Sequence, residues 1–152
     1  KSKSIKWAIY EQKSLSKIGK KFITHKNIFF LNKMIEIKRL KPHVVLFSSV
    51  LEYLHNPKKH INDLLKIKSI RFVIIDRLLI SNSNIDEIYV QKNPKKYFSM
   101  NYPCRIFSKR NFLLNYFKNL KLINTGNSYV GKPFFLNGKK IEYKFFILRI
   151  KK

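Results

Sequence analysis

The chain has 152 residues, a formal net charge of +25 and a hydrophobic content of 45%. This length suits one domain with a real core, and the hydrophobic content argues against a disordered protein. The longest apolar runs are too short to cross a bilayer, no signal peptide is predicted at the start, and a single cysteine, Cys104, indicates a reducing compartment such as the cytoplasm.

The positive charge has two interpretations. A basic surface attracts phosphate backbones, so a nucleic-acid-binding module is one alternative. The excess, however, consists of 27 Lys against 6 Arg and is spread over the whole chain. Proteins that read phosphates and bases favour Arg and concentrate charge on one face. Codon bias of an AT-rich genome is therefore the main interpretation of the lysine content.

The first 42 residues alternate between strand and helix patterns. The apolar residues Leu15, Ile18 and Phe22 have helical spacing. Pro42 marks the end of the next helix, because the residue before a proline avoids helical geometry. The pattern predicts strands over 5–10 and 27–31, and helices over 14–22 and 33–41.

Two apolar strands with a helix between them follow. The run 44–47 is continuously apolar, which is typical of a parallel strand covered on both faces. The next buried strand is predicted over 71–76. Asn56 and Pro57 begin the intervening helix, because Asn accepts amide hydrogen bonds at a helix start and Pro suits the first turn. That helix is expected to end near Lys68.

The last part of the chain is predicted to end in a hairpin. Residues 79–107 have weak periodicity and are interpreted as an ordered excursion or lid. Ser108 is expected to cap a helix, and strands over 122–129 and 143–150 are expected to pair around a turn region at 131–140. The apolar stripe of that helix is Phe112, Leu113, Tyr116, Phe117 and Leu120.

This order of elements predicts an α/β protein with a three-layer sandwich, a mostly parallel sheet and a C-terminal antiparallel hairpin. The pattern is similar to the Rossmann-like fold of class I methyltransferases, which use S-adenosylmethionine. Ligands of open α/β sheets bind at the carboxyl ends of parallel strands. Ser48, Ser49 and Asp76 are therefore predicted to stand at the mouth of a site.

Two segments carry the resemblance. Residues 7–12, Trp-Ala-Ile-Tyr-Glu-Gln, look like the second strand of that fold, where a terminal acid accepts hydrogen bonds from both ribose hydroxyls of the cofactor. Residues 48–57 resemble its fourth-strand signature, in which small residues let the methionine part of the cofactor pass close to the backbone. The resemblance implies that Glu11, Gln12, Ser48 and Ser49 bind S-adenosylmethionine. The ordinary alternatives are a solvated acid and simple strand ends.

A longer series of segments resembles a family of methyltransferase-like proteins found with surface-polysaccharide genes. In chain order it comprises residues 7–12, 48–54, 74–77, 90–91, 102–103 and 106–108. It implies methyl transfer to a small acceptor, such as a sugar or nucleotide sugar, by a single domain over 1–152. That family's fold begins with a strand and a glycine-rich turn, and none of the four glycines fits such a turn. The chain begins with Lys1, so we expect an incomplete domain that is inactive alone. A non-catalytic interaction domain is a further alternative.

The transfer step needs an aligned acceptor and, for a hydroxyl or amine, a general base. Asp76 and His55 are the candidate catalytic residues, although Asp76 could form only an ion pair with Arg77, and His55 could face solvent. Arg77, Tyr102 and Arg105 are the candidate acceptor-binding residues, since Arg forks suit phosphate groups and Tyr102 and Arg105 lie in the predicted excursion. The alternative for Tyr102 is an aromatic anchor of the lid. The four histidines show no metal-ligand spacing, so no metal site is predicted.

Overall fold

The computed structural model describes residues 4–92, 100–116 and 118–151. They form two units, one ending at Pro42 and one beginning at His43. Strands account for 43% of the described residues and helices for 26%, so β-sheet is the larger part of the structure.

The first unit is a strand–helix pair repeated once. β1 (Trp7–Tyr10) and β2 (Ile28–Leu31) are parallel neighbours, α1 (Lys13–Phe22) connects them, and α2 (Met34–Leu40) follows. Gly19 permits α1 to approach β2, because an added Cβ would lie 2.3 Å from the Phe30 ring. All four elements predicted for this part of the chain are confirmed, with ends shifted by one or two residues.

The described residues of the second unit contain seven strands, two α-helices and one 3₁₀ turn. The predicted helix start is confirmed, because the Asn56 side chain accepts a hydrogen bond from the Lys59 amide at 3.0 Å. In chain order the elements are β3 (Val44–Ser48), the 3₁₀ turn Leu51–Tyr53, α3 (Pro57–Leu65), β4 (Phe72–Ser81), β5 (Glu87–Lys92), β6 (Asn101–Ser108), α4 (Lys109–Tyr116), β7 (Leu120–Asn127), β8 (Phe134–Leu136) and β9 (Lys139–Ile150).

β4 is the centre of this sheet. On one edge, β3 pairs with its first half in parallel, and β6 pairs in parallel at Ile80 and Ser81. On its other edge, β9 runs antiparallel along nearly the whole strand. β9 also pairs antiparallel with β7 and β8, and β5 pairs antiparallel with β6. Four of the six pairings are therefore antiparallel.

The predicted fold class, an incomplete Rossmann-like sandwich with a mostly parallel sheet, is wrong. The seven-stranded sheet is mixed and largely antiparallel. One reason is that β4 continues past Asp76 to Ser81 and takes β9 as an antiparallel partner. Another is that the predicted excursion contains two further strands, β5 and β6. The antiparallel pairing of β7 with β9 does agree with the predicted closing hairpin.

The prediction that residues 44–47 are covered on both faces is also wrong. Val44 and Leu46 are 48% and 47% exposed, whereas Phe47 is buried. Among the described residues, β4 is the strand that pairs with β3. The continuous apolar sequence predicted burial because parallel strands are usually enclosed by helices. In this unit one face of the strand stays partly open.

The segment 79–107, interpreted from sequence as a lid, consists of the end of β4 and the β5–β6 hairpin. Residues 93–99 of this segment lie outside the described residues. Its inner side is anchored by a buried cluster of Leu79, Cys104, Ile106 and Ile141. The segment is thus built into the sheet, and its role as a lid stays a prediction.

Candidate functional site

A cluster of four polar side chains lies where β3 ends and β4 bends. Ser48, the last residue of β3, is the register partner of Asp76 in β4. The Ser48 hydroxyl donates to Asp76 Oδ2 at 3.3 Å and accepts from Arg77 Nε and Nη2 at 3.2 and 2.9 Å. Ser128 follows directly after β7, which pairs with β9. Its hydroxyl donates to Asp76 Oδ1 at 2.8 Å. We call Ser48, Asp76, Arg77 and Ser128 the polar cluster.

The backbone beside the polar cluster has a conformation that non-glycine residues seldom adopt. Ser49 has a φ of 51° and Arg77 a φ of 55°. Arg77 lies at a bulge between Ile75 and Leu78, and its amide donates to the Ser128 hydroxyl at 3.0 Å. Left-handed residues cost about 1–3 kcal/mol each and persist where the surroundings fix them, often at functional sites.

Asp76 and Arg77 form the ion pair that the sequence left as one alternative. Arg77 Nε lies 3.6 Å from Asp76 Oδ2, and the two side chains are 38% and 36% exposed. An ion pair with this exposure contributes little to stability. It nevertheless presents a hydrogen-bond acceptor and a guanidinium to solvent side by side. The pair can therefore bind a ligand that carries both a hydroxyl and an anionic group.

Glu52 is a site residue that the sequence analysis did not identify. Its side chain is buried next to the end of β3, where Oε1 accepts a hydrogen bond from the Ser49 hydroxyl at 3.1 Å. Oε2 is buried without a hydrogen-bond partner. Burial raises the pKa of this carboxyl, although the hydrogen bond from Ser49 and the charge of Arg77 act in the opposite direction. The only sequence signal was an acid within the apolar run 50–54.

Replacing Glu52 by Gln is expected to stabilise the protein at neutral and alkaline pH by about 1 kcal/mol. A carboxyl whose pKa is raised on folding stabilises the folded state below its unfolded pKa, and this contribution disappears as the pH rises through the folded pKa. The neutral amide does not titrate. The difference between Glu52→Gln and the natural protein should therefore vanish in acid, as measured by urea unfolding across a pH series.

Glu142→Gln is the matched control. The ammonium groups of Lys140 and Lys144 hold the pKa of Glu142 below its usual range, so the sign is reversed. Losing this charge should slightly destabilise the protein at neutral pH. If Glu52→Gln also destabilised the protein at neutral pH, the result would mean that the folded protein favours the ionised form of Glu52.

His55, Tyr102 and Arg105 make a separate group of contacts around β6. Arg105 Nη2 donates to the backbone carbonyl of His55 at 3.5 Å, and its Nη1 lies 3.9 Å from Asp86. The ring of Tyr102 packs edge-to-face on Tyr53 with centroids 5.3 Å apart. Arg105 is thus engaged with the protein itself, while the His55 side chain is exposed. Their predicted roles in catalysis and acceptor binding stay predictions.

Tyr53 and Cys104 lie close to Glu52. Burial raises the pKa of the Cys104 thiol to about 11 and also raises the pKa of the Tyr53 phenol. A thiol with a raised pKa is a weak nucleophile near neutral pH. The single cysteine therefore contributes as a buried apolar group rather than as a reactive one.

Glu11 and Gln12, the residues predicted to bind ribose, belong to the first unit. They follow β1, and Glu11 Oε2 accepts a hydrogen bond from the Gln12 amide at 3.2 Å. Both side chains are exposed. The structure thus brings together Ser48, Ser49, Asp76 and Arg77, which belong to the second unit. The ribose role of Glu11 and Gln12 stays a prediction.

Open surface clefts occur elsewhere. One is lined by residues between Lys20 and Leu31, and another by residues between Asn56 and Lys66. Neither is lined by the polar cluster. Left-handed backbone also occurs at Lys41 and Asn137, so the cluster is identified by its hydrogen bonds together with this conformation at Ser49 and Arg77. No group of three or more His, Cys, Asp or Glu in the described ranges is placed to hold a metal ion. The helices in those ranges all lack the length and apolar character needed to span a bilayer.

No model of a known protein family matches the chain. A search of curated proteins also finds no significant match. The polar cluster and the residues around it therefore carry the functional interpretation.

Proposed function

We propose that the chain is part of an S-adenosylmethionine-dependent methyltransferase whose site includes the end of β3 and the bulge of β4. The observation that carries the proposal is the pairing of Ser48 with Asp76 on adjacent parallel strands. The next residue of each chain segment, Ser49 and Arg77, has a left-handed backbone. Parallel strand ends are common ligand-binding positions, and strained residues cluster at such sites.

The proposed cofactor residues are Ser48 and Ser49 in the second unit, and Glu11 and Gln12 in the first. Ser48 and Ser49 are small, which leaves room for the methionine part of the cofactor near the backbone. The exposed Glu11 carboxylate can accept two vicinal hydroxyl donors. When bound, S-adenosylmethionine supplies an electrophilic methyl group. Ser48 and Ser49 hold and orient its methionine part.

For the acceptor, the contacts favour Asp76 and Arg77. Each Asp76 carboxylate oxygen already accepts one hydroxyl, from Ser48 or Ser128, and has a further lone pair for an acceptor hydroxyl. Alignment of this hydroxyl with the methyl carbon supplies much of the catalysis in such a displacement. The side chain of Arg77 is 38% exposed and that of Arg105 is 23% exposed, so Arg77 is the more accessible of the two. The proposed acceptor is a sugar or nucleotide sugar of surface-polysaccharide synthesis, and the proposed location is the cytoplasm.

Calorimetric titration of the natural gene product with S-adenosylmethionine tests this proposal. Glu11→Ala is expected to weaken binding by about 1–3 kcal/mol, because charged hydrogen bonds to the ribose are lost. Asp63→Ala is the matched control, since it removes an equal charge from the surface ion pairs of α3. The control should bind with unchanged affinity.

Other outcomes would redirect the assignment. Unchanged binding by Glu11→Ala would rule out the ribose role. A natural gene product that does not bind S-adenosylmethionine would contradict the enzyme proposal. If that protein instead bound oligonucleotides with a strong salt dependence, the nucleic-acid-binding alternative would be favoured.

A further inference from the structure

The loop after β7 projects apolar side chains into solvent. We define the 129–135 loop, whose last two residues begin β8, by Tyr129, which is fully exposed, and by Val130 and Phe135, which are more than half exposed. Single exposed apolar residues are common on protein surfaces. Three within seven residues concentrate exposed apolar side chains on one short segment, and apolar surface of this kind often marks an interaction site.

The backbone of this loop is fixed at both ends. At its start, the Ser128 amide donates to the Tyr143 carbonyl at 2.8 Å. Gly131, with a φ of 102°, lies so close to the Tyr143 ring that an added Cβ would be 2.4 Å away. At its end, Phe135 pairs with Lys140 of β9. The apolar side chains therefore project from a defined position.

Lysines surround the loop. Between Ser128 and Lys144 the chain contains four Lys, one Glu and no Arg. Lys140 and Lys144 share Glu142, and Lys139 pairs with Glu87, so these three lysines face two acids. Lys132, within the loop, is the fourth lysine. Positive charge therefore remains in excess around the apolar side chains.

We propose that the 129–135 loop inserts its apolar side chains into the surface of an anionic lipid bilayer. Aromatic side chains are favoured at the boundary between acyl chains and headgroups, and neighbouring lysines attract acidic headgroups. Val130 provides aliphatic surface that lipid accepts and that cannot stack on a nucleobase. The charge complementarity and the absence of Arg between Ser128 and Lys144 favour a membrane over nucleic acid.

The 129–135 loop adjoins the polar cluster in the sequence. The loop begins one residue after Ser128, whose hydroxyl contacts both Asp76 and the Arg77 amide. Membrane binding is nevertheless independent of methyl transfer, and its test needs no cofactor. The test therefore stands whether or not the protein binds S-adenosylmethionine.

Flotation of the full chain with lipid vesicles tests the proposal. The natural chain should bind phosphatidylcholine vesicles that contain phosphatidylserine, should bind pure phosphatidylcholine much less, and should be released by salt. The affinity of the double variant Tyr129→Ser, Phe135→Ser for the anionic vesicles should be at least about tenfold lower. Val90→Ser, Leu114→Ser is the matched control, because these two apolar side chains are each 65% exposed elsewhere in the second unit.

Circular dichroism of each variant verifies that it is folded. Undiminished binding by the loop variant would overturn the proposal, as would equal loss in the control. The proposal would also be overturned if the natural chain did not bind anionic vesicles and instead bound single-stranded oligonucleotides through the same loop. That result would assign the surface to nucleic acid.

Discussion

Replacing Phe112 by Ala should destabilise the protein by about 3–5 kcal/mol, the cost of removing a buried aromatic ring. The Phe112 side chain is fully buried. Its ring stacks on Tyr116 with centroids 4.7 Å apart and lies 5.0 Å from Phe107 and 5.5 Å from Phe146. It thereby joins α4 to β6 and β9, so its loss opens a cavity between three elements.

Leu114→Ala is the control for this prediction, because Leu114 lies in the same helix and is largely exposed. Its effect should stay within about 0.5 kcal/mol. Urea unfolding measures both variants. A loss in Phe112→Ala no larger than that of the control would mean that α4 does not pack on the sheet as described.

The same helix shows what periodicity can and cannot predict. Phe112 and Tyr116 do face the core, as their spacing indicates. Leu120 is also buried, but it is the first residue of β7, and α4 ends at Tyr116. Phe117 lies outside the described residues. Apolar spacing identified the residues that need burial, whereas the point at which the helix gives way to a strand depends on pairing with β9.

The polar cluster was only partly predictable. The abrupt change from apolar to polar residues after 47 and 75 identified Ser48 and Asp76, and parallel pairing brings them together. Ser128 was missed because it is 52 residues from Asp76 and reaches it through the pairing of β9 with β7 and β4. Pairing between distant strands leaves no local signal in a single sequence.

The fold class failed for a related reason. Residues 44–76 contain a strand, a helix and a second strand, and this local pattern correctly predicts the parallel β3–β4 pair. The direction of β9 relative to β4, in contrast, depends on contacts about 70 residues apart in the chain. The predicted hairpin correctly paired β9 with β7. It did not include the longer antiparallel pairing of β9 with β4.

Leu51→Ala should cost about 2–5 kcal/mol and should loosen the backbone next to the polar cluster. Leu51 is fully buried and begins the 3₁₀ turn that packs on β6 and β4. This turn also carries Glu52, which accepts the hydrogen bond from the Ser49 hydroxyl. Because the Ser49 amide donates to the Asp76 carbonyl at 3.0 Å, a loosened turn should expose that amide to hydrogen exchange.

Two measurements separate the global effect of Leu51→Ala from the local one. Urea unfolding gives the loss in free energy, and native-state hydrogen exchange reports the Ser49 amide directly. Val50→Ala is the control, because Val50 is partly exposed beside the same turn, and it should leave both nearly unchanged. If the Ser49 amide in Leu51→Ala lost no more protection than amides far from the turn, the left-handed backbone at Ser49 would be held by its pairing with β4 alone, because packing of the turn would then add nothing to it.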